Sequence, residues 1–309
     1  MTNLTLQQRL LPSRWLATAS TAAVALLSAQ LTAGPISMPT VQPAIPSAAV
    51  DWFEHSVVPV MDPILFEDAI VRSEIRPVYG YQRISGDAPF LGGHLGVYGI
   101  QIHYAATDRL GFMLTKGGYN DVHLGNGAHL KGWGDLMLGA KYSIVDDKAH
   151  QFVLTPGFTL EIPTGENEVF QGRGNGIWNF FLAAEKGFGD FHLLANAGFL
   201  IPNSSGNSTE LHYHLQADYY VCRYFKPFVA LNGYTVLSSG NNIPLNAEGY
   251  DLVNFGSSAA SGSTQITLGG GFRSGITKNI DFGFSYEKSV RRPHGLLDDR
   301  LTFDFVIRF

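Results

Sequence analysis

The sequence predicts an all-β protein, a transmembrane antiparallel up-and-down β-barrel of about twelve strands, and three observations lead there. The first is composition. Charged residues make up 15% of the chain, against roughly 25% in an ordinary soluble domain, while Phe, Tyr and Gly are plentiful and the mean hydropathy is near zero. No apolar run reaches the roughly 20 residues that a membrane-spanning helix needs, which leaves a closed barrel, whose strands satisfy one another's backbone groups. The second observation is a recurring apolar/polar alternation from about residue 73 onward, and the third is a regular exchange of short and long connections between the alternating segments.

From the N-terminus, residues 1–33 read as a secretory signal. Arg9 and Arg14 precede the apolar, small-residue stretch Trp15 to Ala29, which is too short to span a bilayer, and cleavage fits after Ala29 or Ala33. No Cys lies near that region, which argues against a lipid anchor. Removing these residues takes away two basic and no acidic residues, so the net charge falls from −5 to −7. That sign argues against nucleic acid as a partner. Residues 34–72 contain Pro35, Pro39, Pro43, Pro46, Pro59 and Pro63, too many for a regular element, and read as a periplasmic linker. The same stretch carries Trp52, Phe53, Val57, Val58, Ile64, Leu65 and Phe66, which leaves open a partial plug in the barrel mouth.

Residues 73–309 form the predicted barrel. Its twelve segments are roughly 73–84, 94–106, 109–117, 133–145, 150–163, 176–187, 190–201, 210–222, 225–237, 264–274, 279–290 and 300–309, each of a length that suits a tilted membrane strand. Connections such as Thr107-Asp108, Phe188-Gly189 and Arg223-Tyr224 are short, whereas 85–93, 118–132, 164–175, 202–209, 238–263 and 291–299 are mostly longer and rich in Gly, Asn and Ser. Periplasmic turns and outer loops segregate in this way when both termini lie in the periplasm. Loop 238–263 is expected to be mobile and polar, and the single Cys222 sits at a turn without a disulfide partner.

Strand parity then separates two faces. Leu136, Leu138, Ala140 and Tyr142, then Phe152, Leu154, Phe158, Leu160 and Ile162, then Ile280, Phe282, Phe284 and Tyr286 fall on the lipid side, with aromatics such as Trp133 and Trp178 near strand ends where interfacial girdles settle. The opposite face is charged. The expected lumen-lining residues include Asp135, Lys141, Glu161, Glu185, His192, His212, His214, Asp218, Asp281, Asp304 and Arg308. Buried charges need partners or water, so this face reads either as an open lumen that its carboxylates bias towards cations or as a paired network filling a narrow barrel.

Candidate chemistry is sparse. No His-x-Ser pair occurs on any strand face, which disfavours the nucleophilic hydrolysis of phospholipase barrels, so the expectation is a non-enzyme without cofactor. His212, His214 and Asp218 share a face, but residues i and i+2 of one strand lie roughly 6.5–7 Å apart at Cα, long for a shared ion without a ligand from a neighbouring strand, so no metal is expected. The glycine runs Gly269-Gly270-Gly271 and Gly117-Gly118 lack a following helix and are strand bends or bulges rather than phosphate loops.

Two resemblances sharpen the reading. The alternating end Leu301-Thr302-Phe303-Asp304-Phe305-Val306-Ile307-Arg308-Phe309 resembles the terminal strand of bacterial outer-membrane barrels, which implies that Phe309 is an assembly signal read by the barrel assembly machinery. The segments Gly132-Trp133-Gly134-Asp135-Leu136-Met137-Leu138-Gly139-Ala140-Lys141-Tyr142 and Glu161-Ile162-Pro163-Thr164-Gly165 are similar to a strand and loop motif of the outer-membrane transporter family named after the meta-cleavage pathway of phenol degradation, with Ile162 where that family has Leu. The resemblance implies a barrel in outer-membrane lipid that passes small, often aromatic or hydrophobic molecules, and supplies no site residues. A structural or adhesive barrel is the alternative, and a lipid-modifying enzyme a more distant one.

Overall fold

In the computed structural model, which describes residues 52–86, 92–291 and 295–309, twelve antiparallel strands close on themselves. The expected signal segment and residues 34–51 lie outside the described residues. The strands are β1 (Glu74–Ile84), β2 (Gly93–Ala105), β3 (Leu110–Lys116 continued by Gly118–Leu124), β4 (His129–Trp133 continued by Leu136–Tyr142), β5 (Phe152–Ile162), β6 (Ile177–Phe188), β7 (Phe191–Pro202), β8 (Thr209–Tyr219), β9 (Lys226–Ser238), β10 (Thr264–Gly275), β11 (Ile280–Ser289) and β12 (Leu297–Arg308). Each pairs with its neighbours in sequence, and β1 pairs with both β2 and β12, with Glu74 opposite Arg308. Closure removes the unpaired edges that hydrocarbon would not tolerate.

Two expectations fail, both for want of a constant period. The segment 118–132, read as an outer loop, is instead a hairpin that prolongs β3 and β4 and turns only around 125–128. In β3 the register shifts between Leu114 and Lys116, so Met113 faces inward before the shift while Val122 does so after it. A one-residue slip moves every later side chain to the other face, and the broken alternation mimics a strand end. The second failure is loop 238–263, which is not a free polar loop. Glu248, Tyr250, Asp251, Val253, Phe255, Ser257 and Ala260 are buried, and Phe170 of the 163–176 loop meets Phe255 edge-on at 5.6 Å.

The outward face is apolar. Tyr98, Ile100, Ile102, Tyr104, Phe112, Leu138, Phe158, Phe180, Leu182 and Leu215 are among its exposed side chains. An aromatic row crosses it in register, Phe303 opposite Tyr79, Tyr79 opposite Tyr98, Tyr98 opposite Tyr119 and Tyr119 opposite Trp133, side chains of the kind that settle at membrane interfaces. Such a barrel is a protein of the bacterial outer membrane. The expected result in solution is a folded band in cold SDS that shifts on boiling, with a strand-dominated far-UV spectrum; a helical spectrum with no shift would contradict the fold.

Candidate functional site

The lumen is the candidate site, and its centre is occupied by the chain itself. Residues 52–72 carry one short turn of 3-10 helix, Trp52–Glu54, and otherwise no regular element. Trp52, Val57, Val58, Val60, Met61, Leu65, Phe66, Ala69 and Ile70 of this segment are nonetheless buried. A segment rich in proline and without secondary structure leaves its carbonyls unpaired. The barrel wall supplies the donors. Gln216 Nε2 donates to Val57 O at 2.8 Å, Arg273 Nη2 to Val58 O at 3.0 Å, Arg76 Nη2 to Pro59 O at 2.7 Å, Asn196 Nδ2 to Glu67 O at 3.1 Å, Lys141 Nζ to Asp68 O at 3.0 Å and Lys226 Nζ to Glu54 O at 2.6 Å. Gln101 and Thr155 donate to Pro63 O and Ala69 O, so eight strands grip the segment.

Charge is balanced locally. Asp304 accepts from Arg76 Nη2 at 2.9 Å and from Arg273 Nη1 and Nη2 at 3.0 and 2.9 Å, with all three side chains buried. The wall leaves space for this cluster at Gly283, where a Cβ would meet the Asp304 carboxylate and, at 2.9 Å, the Val60 side chain. Lys141 Nζ sits 3.0 Å from Asp68 and 3.3 Å from Glu67, and Arg72 pairs with Asp68. Arg72 and Lys141 hold the Asp68 carboxyl, and His103 and Lys141 the Glu67 carboxyl, below the usual carboxylate range even though burial, the largest influence on each, pushes the other way. At the end away from the termini, Arg300 joins Asp251 of the folded-in loop to Glu287 of β11, and Tyr234 OH donates to Asp62 at 2.6 Å.

The other residues singled out by parity fall into three environments. His192 is hydrogen-bonded to Asp218 at 2.7 Å, and Asp218 also accepts from Gln216. His212 bonds His214 at 2.9 Å and Asn179 at 2.8 Å, while His214 bonds Asn232 at 3.0 Å and lies 3.5 Å from Asp62. His212, His214 and Asp218 therefore do not converge on one ion position. Glu185 is buried on β6 near Arg72. Glu161 pairs with Lys116 at 2.8 Å, and Arg308 with Asp281 at 2.6 Å near the termini. Asp135 serves a loop, accepting from the backbone N–H groups of Gly165 and Gly172 at 2.7 and 2.9 Å.

Of the two readings of the inward face, this geometry favours the paired network over an open lumen at Asp135, Glu161, Asp218 and Asp281. Each has a partner, and among the described residues the histidine hydrogen bonds go to carboxylates, amides or each other rather than to a serine hydroxyl. A cavity of about 50 Å³ persists between Pro63, Ile64, Gln101, Thr115 and Arg300, small beside the roughly 300 Å³ at which ligand pockets begin. The donors that hold the segment are what the sequence did not reveal. Arg76, Arg273 and Gln216 are inward residues of their strands, but nothing in a linear pattern says that backbone carbonyls of 52–72 are what they bind.

Comparison with solved structures places the architecture. The COG4313 outer membrane channel from Pseudomonas putida F1 superposes over 82% of this chain and 100% of its own, with a TM-score of 0.56 at 17% identity. The NanC porin covers 77% of this chain and 100% of its own at 10% identity and a TM-score of 0.49, and the KdgM porin 76% and 99% at 13% and 0.47. No curated protein matches the chain. The match that decides kinship is to a family model described as "Putative MetA-pathway of phenol degradation", over residues 77–305, and since this is nearly the whole barrel, the chain belongs to that family.

Proposed function

We propose that this barrel is a channel for small molecules, aromatic or hydrophobic ones foremost, and that residues 52–72 are its plug. The observation that carries this reading is the way the lumen is filled. Its wall is polar, and eight of its side chains donate to backbone carbonyls of a separate segment that has no β-ladder pairing to the barrel. When such a segment withdraws, it leaves a lumen lined by Arg, Lys, Gln and Asn donors, suited to hydroxylated solutes. The family's link to phenol degradation agrees with cargo of that kind. A conduit rather than a hydrolase fits the histidine bonding, and outer-membrane lipid and the barrel assembly machinery are the partners proposed for the apolar wall and for Phe309.

Planar-bilayer recording tests the plug directly. The intact protein is expected to show low, intermittent conductance. Lys141→Glu, which sets a carboxylate against Glu67 and Asp68, is expected to raise the open fraction severalfold. A folded barrel in which neither form conducts, and whose liposomes admit no phenol-sized solute, would favour the structural barrel.

A further inference from the structure

On the outer wall, away from the lumen, β2, β3 and β4 bring three histidines and one aspartate together. His94 is opposite His123, and His123 is opposite His129, in one cross-strand row. Asp121 stands two residues before His123 on the same strand. His129 Nε2 lies 2.6 Å and His123 Nε2 3.2 Å from the same oxygen, Asp121 Oδ1, and the ligand atoms of the three residues all lie within 4.8 Å of one another. The His123 and His129 rings stack with centroids 3.8 Å apart, and His94 stacks on His123 at 4.6 Å.

We infer that Asp121, His123 and His129 form a binding site for a divalent transition-metal ion of the zinc class. Two imidazoles and one carboxylate are a zinc, copper or nickel set, whereas calcium and magnesium prefer oxygen ligands alone. Residues directly opposite in an antiparallel pair have Cβ atoms about 4.5–5.5 Å apart, which is short enough for both rings to reach one ion, and Asp121 closes the third side. The neighbouring strand thus supplies the ligand that a single-strand i, i+2 pair lacks. Lys131 Nζ, 3.5 Å from Oδ2 of Asp121, engages the other oxygen and leaves Oδ1 to the histidines.

The location suits an ion from outside. Asp121 and His123 lie two and four residues beyond the aromatic row at Tyr119, about 7 and 14 Å further along the strand, at the end opposite the termini. All three side chains are partly exposed, and a place beyond the aromatic row is on the water side of the interface that such rings mark.

Calorimetric titration of tag-free, detergent-purified protein with zinc chloride at pH 7.5 tests this. One saturable equivalent is expected, undiminished by millimolar magnesium and lost at pH 5, where protons displace the metal from imidazole. His123→Ala and His129→Ala are each expected to weaken it by about tenfold or more, while His150→Ala, at the opposite end and strongly exposed, leaves it unchanged. Cold-SDS migration of the two site variants checks that they remain folded. Absence of saturable binding by the wild type, or wild-type affinity in both folded site variants, overturns the assignment.

Discussion

Replacing Asp304 with alanine is expected to destabilise the barrel by about 3–5 kcal/mol, the range for stripping one partner from a buried ion pair. Asp304 is the shared acceptor of Arg76 and Arg273, and Arg273 has no exposed surface. The alanine variant leaves two guanidinium groups facing each other, with the carbonyls of Val58 and Pro59 as their remaining hydrogen-bond acceptors among the described residues. Asp304→Asn keeps an acceptor of similar shape and should fall between. The midpoint of the heat-dependent gel shift reads the loss, and an alanine variant as heat-stable as wild type would show that the pair does not matter. Because the same arginines hold the 52–72 segment, the variant should also conduct more readily than wild type.

Conductance is expected to be lowest near pH 5 and to rise towards pH 8. Burial raises the Asp62 carboxyl to about 6 against the opposing pull of Arg300 and Tyr234, and burial raises Asp251 to about 7 against Arg300. Both share Arg300 with Glu287, so one cation faces three carboxyl groups. A carboxyl whose pKa in the closed state lies above its solvated value of 3.8 binds its proton more tightly there. Its contribution to closure is therefore complete at acid pH and disappears as pH climbs through 6 and 7. Each proton released shifts the closed-to-open ratio by up to about tenfold per pH unit. Glu67 and Asp68, held low by His103, Lys141 and Arg72, weaken closure only at more acid pH, outside this window. Asp62→Asn combined with Asp251→Asn should flatten the profile, and a wild-type profile flat from pH 5 to 8 would defeat the mechanism.

Particular residues show why the barrel was legible and its interior was not. Phe282, Phe284 and Tyr286 alternate with Asp281, Gly283, Ser285 and Glu287 because a strand between lipid and lumen must change chemistry at every residue, and the pattern survives in the sequence unaltered. Where a bulge interrupts that period, as between Leu114 and Lys116, the pattern stops before the strand does. His123 and His129 were lost with it, since their pairing exists only once 118–132 is a hairpin.

The sequence by itself determined the class, the strand number, the two faces and the segregation of short from long connections. All are local consequences of a period-two backbone between two solvents. Only the tertiary structure decided what fills the lumen. A segment such as 52–72 has no period to read, and its place follows from the match between its unpaired carbonyls and donors on eight separate strands. The same holds for Asp135, whose inward direction parity indicates but whose partners, the N–H groups of Gly165 and Gly172, are set by the folding of a loop 30 residues away. Direction is a property of one strand, whereas partnership belongs to the closed barrel.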